Sequence, residues 1–147
     1  MKFSKQRNLH KPAEGVWGDC VRTAIACILD LEPEDVPHWL ENGPQEGGVE
    51  HLIDAWLLQR GLQLIRIILA GENSLETVLN TAKVMGGNLP YLLSGFSRTG
   101  CNHVVVGQGD AIVWDPSLTD AGIIGPMDDG VWWIEFIVRP PSAAVQT

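Results

Sequence analysis

Apolar residues along the chain change their spacing near residue 89, from a helical repeat to the short dense runs of strands. Behind Gly18-Asp19-Cys20, the residues Val21, Ala24, Ile25, Ile28 and Leu29 recur at helical spacing, which predicts a first helix opened by Cys20 with Asp19 as its N-cap. Pro33, followed by Glu34 and Asp35 and then by Pro37, predicts one short helical turn, and the polar, glycine-containing stretch from Glu41 to Gly48 predicts a loop. Val49, Leu52, Ile53, Trp56 and Leu57 mark a second helix, with Gly61 where a C′ glycine belongs. Leu62 to Leu69 is rich in Ile and strand-like. Asn73-Ser74-Leu75-Glu76 resembles a capping box ahead of a third helix carrying Leu75, Val78, Leu79 and Ala82, which Gly86-Gly87 ends. Four strand-like runs follow, Tyr91 to Ser94, Cys101 to Val106, Ala111 to Asp115 and Val131 to Val138. Helices first and an antiparallel sheet afterwards predict an α+β fold in one domain over 1–147.

Charge sharpens the picture. The net charge is −8, from 10 basic and 18 acidic residues, yet Lys2, Lys5, Arg7 and Lys11 all fall in the first eleven positions. The rest therefore carries 6 basic against 18 acidic residues, a balance of −12 that repels a phosphate backbone and argues against nucleic-acid binding. The basic arm 1–12 and the tail 140–147 are expected to be flexible. No apolar run approaches the length of a membrane span and the arm lacks the apolar stretch of a signal peptide, so no membrane association and a cytoplasmic setting are expected. Three cysteines cannot all pair within the chain, which favours free thiols in a reducing compartment.

One of those thiols has the setting of a nucleophile. At the first position of a helix, Cys20 faces unpaired N–H groups and the positive end of the helix dipole, both of which favour thiolate. A partner is expected in the hairpin flanking Gly107-Gln108-Gly109-Asp110: if its turn centres on Gly109, residues 106, 105, 104 and 103 pair with 112, 113, 114 and 115, and His103 lies opposite Asp115. A one-residue shift would lose that arrangement. A carboxylate at one ring nitrogen fixes the tautomer and supports the imidazolium, leaving the other nitrogen for the thiol. His10, His38 and His51 are weaker candidates, being in the arm, behind a turn proline and on the polar side of the second helix. Cys101-x-His103 fits none of the usual zinc spacings, and neither a metal nor another cofactor is expected.

Together, the Asp19-Cys20 opening of a helix, His103-Val104-Val105-Val106 at a strand start and Asp115-Pro116 after the next strand resemble the papain-like cysteine peptidases, and most of all the bacteriocin-processing branch that cleaves after double-glycine leaders. The resemblance covers the first helix and 89–116. It implies a papain-like fold in which the Cys helix packs on the sheet face carrying His103, with Cys20 as nucleophile, His103 as general base and acid, and Asp115 as orienting carboxylate. It implies hydrolysis of a peptide, isopeptide or related amide bond through an acyl-thioester, or acyl transfer to an amine from the same site. That branch has Gln six residues before its Cys and Gly directly after it; here those positions hold Glu14, which cannot donate to an oxyanion, and Val21. The backbone N–H of Cys20 would then act with Trp17 Nε1 or the Asn102 side chain. Residues 18–26 and Val36-Pro37-His38 also resemble small proteins of tailed-phage genomes, implying a host cytoplasm. The alternative function is a papain-like binding module of little or no activity that engages a protein partner through its acidic surface. The chain itself carries no indication of oligomeric state. The loops 41–48 and 96–100 are expected to flank the cleft.

Overall fold

The structure is a computed structural model, and it describes residues 1–141. It is α+β, with three helices and a five-stranded antiparallel sheet: α1 (Cys20–Ile28), α2 (Glu50–Leu58), β1 (Gln63–Ala70), α3 (Leu75–Gly86), β2 (Pro90–Phe96), β3 (Asn102–Gln108), β4 (Ala111–Trp114) and β5 (Val131–Val138). Single 3₁₀ turns occupy Pro12–Glu14 and Pro33–Asp35. Strand order is β1-β5-β2-β3-β4, so the last strand lies inside the sheet between the first and second. No helix among the described residues is long and apolar enough to cross a membrane.

Alternation along the inner strands serves two cores. On one face, Leu64, Leu92, Val104 and Val106 pack with Ile25 of α1 and with Ile53 and Leu57 of α2. On the other, Tyr91, Leu93, Val105, Trp132, Ile134 and Phe136 pack with Val78 and Ala82 of α3. Because both faces are covered, these strands read as continuous apolar runs rather than as an alternation of apolar and polar. Each fully buried aliphatic or Phe side chain contributes roughly 1.5–3 kcal/mol. At the end of α3 the backbone of Gly86 lies directly on Phe136, where a Cβ would come within 2.3 Å of the ring. Ser74, not Asn73, caps α3, accepting from the N–H of Thr77 at 3.2 Å. The expected capping box is thus displaced by one residue, and its Glu76 takes no part.

The basic arm is not the solvated terminus its composition suggests. Its backbone bonds to the body through Lys2 N to the Cys27 carbonyl and Gln6 N to the Pro116 carbonyl, and Phe3 and Lys5 pack on the Trp114 ring. The charges that make the arm look soluble are answered by acidic residues of the body, Arg7 by Glu32 and Glu34, Lys5 by Asp120. The tail expected to be flexible lies, from 142 onward, outside the described residues.

The hairpin register also differs from expectation. The turn is the two residues Gly109-Asp110, with Gly109 at φ +61°, so Gln108 pairs with Ala111 and Gly107 with Ile112. A bulge between Val106 and Gly107 then sets Val106 opposite Trp114. The turn displaces the expected pairing by one residue and the bulge by one more. The sum is even, so every side chain returns to its expected face, and Asp115 ends as a diagonal rather than a direct neighbour of His103. Diagonal residues remain within reach of long side chains.

Candidate functional site

Cys20 is the first residue of α1 and is partly exposed. Asp19 occupies the N-cap position but its side chain does not cap the helix. It is buried and turns to the arm, accepting from the N–H groups of Arg7 at 2.9 Å and Asn8 at 2.8 Å and from Arg22 Nε at 2.9 Å. The first N–H groups of α1 are thus left without a capping side chain beside the thiol.

His103 stands at the start of β3, buried to 6% exposure. Its Nε2 is 2.7 Å from Asp115 Oδ1, which leaves Nδ1 unengaged by the carboxylate, and the Cys20 thiol lies near enough to favour the imidazolium. Burial works against the imidazolium, but hydrogen bonding to Asp115 and Cys20 and the charges of both outweigh it, and the His103 pKa is raised to about 9. Burial likewise opposes the Asp115 carboxylate. It is outweighed by His103 and by the N–H groups of Ser117 and Gly122, each 2.9 Å away, and the pKa falls to about 2. Asp115-Pro116 opens a turn and orients the imidazole at once, because one carboxylate oxygen bonds His103 and Ser117 and the other Gly122.

One geometric expectation needs correction. α1 covers Val104 and Val106, whereas alternation groups His103 with Val105 and with its cross-strand neighbour Gly95, which abuts Ile123 and Trp132 of the other core. The Cys helix therefore does not lie on the face to which His103 nominally belongs. The ring meets the thiol at the end of the strand, where α1 begins.

Cys20 and His103 open on a cleft of about 590 Å³, and the loops 41–48 and 96–100 contribute Pro44, Gln45, Gly48 and Gly100 to its lining. Of the two expected oxyanion donors, Trp17 lines the cleft with its indole stacked over Gly43. Asn102 is otherwise engaged: its amide donates to Asp128 Oδ1 at 2.8 Å and its carbonyl accepts from the Asp128 N–H at 2.9 Å. Glu14 is exposed on the 3₁₀ turn and does not line the cleft.

Two residues of the arm also line it, Gln6, to which no sequence signal points, and His10, the weaker candidate in the arm. Gln6 is 6% exposed, donates one amide N–H to the Asn8 carbonyl and lies against the backbone of Gly18, two residues before Cys20. His10 accepts from the Gly18 N–H at 3.1 Å, while His38 donates to the Trp17 carbonyl at 3.0 Å, so two histidines brace the segment leading into Cys20. No sequence spacing could find Gln6, because its proximity depends on the arm docking. Across the cleft, burial raises the Glu135 carboxyl pKa; Arg66 opposes the shift and the charges of Glu50 and Asp54 reinforce it. Among the described residues no group of three or more His, Cys, Asp or Glu is arranged to hold a metal ion. Comparison of the chain with family models, curated proteins and solved structures brings out no match.

Proposed function

We propose that this chain is a papain-like thiol hydrolase that cleaves a peptide, isopeptide or related amide bond through an acyl-thioester on Cys20. The observation that carries the reading is the buried imidazole of His103, bonded to the doubly anchored carboxylate of Asp115 and lining one cleft with Cys20 at the start of its helix. The thiolate sulfur attacks the scissile carbonyl carbon, and the electron pair of the C=O bond moves to oxygen. As that tetrahedral species collapses, His103 gives its proton to the leaving nitrogen and the C–N bond breaks. Neutral His103 then takes a proton from water, which attacks the thioester and releases Cys20. An amine in place of that water would give acyl transfer from the same site.

The oxyanion needs donors, and the N–H of Cys20 and the second amide N–H of Gln6 supply them. Gln6→Glu, isosteric and unable to donate as a carboxylate, is expected to lower turnover by about 10²- to 10³-fold. Alkylation of Cys20 by iodoacetamide, which forms no oxyanion at a carbonyl carbon, should be unchanged. Equal losses in both assays would mean that Gln6 only supports the fold.

Three free thiols in one molecule allow a direct test. Burial pushes the Cys27 thiol up to about 11, which makes it an internal control. Native protein treated with iodoacetamide at pH 7 and read by mass spectrometry should be modified at Cys20 well ahead of Cys27, and Cys20→Ala should abolish amide turnover. Slow labelling of Cys20 at the rate of Cys27 overturns the proposal. The acidic body also fits a module that binds a basic protein partner. In that case Cys20→Ala would leave the biological effect intact.

A further inference from the structure

The far wall of the cleft carries an unbalanced negative charge. Glu135 and Glu50 line it, Asp128 and Asp129 stand at its rim, and no Lys or Arg side chain does. Glu135 is 8% exposed, and its Oε2 accepts from Arg66 Nε at 2.8 Å. Its Oε1 has no partner among the described residues and is not sealed from solvent, so it opens on the cleft. Arg66 cannot neutralise the pair, because its two terminal nitrogens are bound to Asp54 at 3.0 and 2.8 Å. Glu50 is close enough to raise the Glu135 pKa by its charge, and its carboxylate has no hydrogen-bond partner among the described residues.

Apolar side chains lead to this wall. Leu92 pairs with both Val106 and Glu135, and Ser94 with both Val104 and Trp133, so Glu135 and Trp133 lie two strands from β3 on the face that α1 covers. Two strand spacings are about 10 Å, or roughly three residues of extended chain at about 3.3 Å each. Ile53, Leu92 and Trp133 flank the approach. An apolar channel ending in carboxylates matches a side chain with an aliphatic stem and a cationic tip.

We infer that the cleft selects a basic peptide segment, with a Lys or Arg near the scissile bond whose cationic tip reaches Glu135 and Glu50. This rests on the proposed nucleophilic role of Cys20 and names the substrate class of that site. Peptidyl acyloxymethyl ketones test it, since they alkylate an attacking thiolate with loss of the carboxylate leaving group and need no turnover. A series would carry Arg, Lys, norleucine or Glu next to the warhead, with labelling of Cys20 read by mass spectrometry and iodoacetamide as the small neutral control.

The Arg and Lys probes should label Cys20 about tenfold or more faster than norleucine, a preference of the size charge focusing in a cleft produces, and the margin should shrink with added salt. Glu135→Gln should remove most of that preference. Glu50→Gln, which keeps the shape of the side chain in the first turn of α2, should reduce it. Cys20 labelled by iodoacetamide in a His103-dependent way, with all four probes equal, would overturn the inference and leave the nucleophile standing. A Cys20 inert to iodoacetamide would overturn both.

Discussion

His103→Ala is expected to slow acylation of Cys20 by about 10²- to 10⁴-fold, the range that a positioned acid–base group contributes. Alkylation by iodoacetamide at neutral pH should slow as well. The pH dependence distinguishes this from a packing defect. With the imidazolium pKa at about 9, the His103-dependent part of Cys20 reactivity should hold through the neutral range and fade as pH rises through about 9. Stability should follow the same group. The folded-state pKa lies above the ordinary histidine value of 6.5, so the contribution is full below pH 6.5 and is lost as pH rises through about 9. It is on the order of 3 kcal/mol. Asp115, held at about 2, contributes above its ordinary value of 3.8 and loses its contribution as pH falls through about 2. Urea titrations of wild type and His103→Ala between pH 4 and 10 should therefore converge on the alkaline side. A constant difference across that range would remove the ion pair from the account.

The second large effect is expected at Asp19→Ala, with a loss of about 3–5 kcal/mol, the cost of stripping one partner from a buried charged network. Asp19 is 1% exposed, and without it the N–H groups of Arg7 and Asn8 and the guanidinium of Arg22, 15% exposed, lose their acceptor. Asp19→Asn keeps one carbonyl acceptor and should cost less. The arm should loosen along with the loss of stability, so trypsin should cut after Lys5 and Arg7 sooner in Asp19→Ala than in wild type. A urea midpoint within experimental error of wild type, with the arm still protected, would show that Asp19 does not fasten it.

The residue pattern reveals those parts of the molecule whose contacts are local. α2 was legible because Ile53 and Leu57 are buried at the spacing the sequence displays, and β5 because Val131–Val138 is an unbroken β-prone run bounded by Gly130 and Pro140. Cys20, His103 and Asp115 were legible for the same reason, each being fixed by its own helix or strand end. Long-range contacts were not. Nothing in Lys2, Lys5 and Arg7 indicates that Glu32, Glu34 and Asp120 would receive them, so both the docked arm and Gln6 in the cleft went unforeseen. Asn102 reads as a free donor in the sequence because Asp128, which engages it, lies 26 residues along the chain. The hairpin shows a third case. The turn and the bulge each shift its register by one residue in the same sense, and the period of two in a strand preserves the contact between His103 and Asp115.

The position of β5 in the sheet bears on how the chain is made. Among the described residues β1 pairs only with β5, from Gln63 with Val138 to Ala70 with Val131, and β5 also pairs with β2. About sixty residues separate the end of β1 from the start of β5. At a synthesis rate of about 5–20 residues per second, β1 therefore emerges roughly 3–12 seconds before its partner exists. Through that interval Ile65, Ile67 and Ile68 belong to an unpaired apolar strand, the kind of segment that captures other nascent chains. The sheet is thus completed only once residue 138 is free to pair, however early its first strand is made.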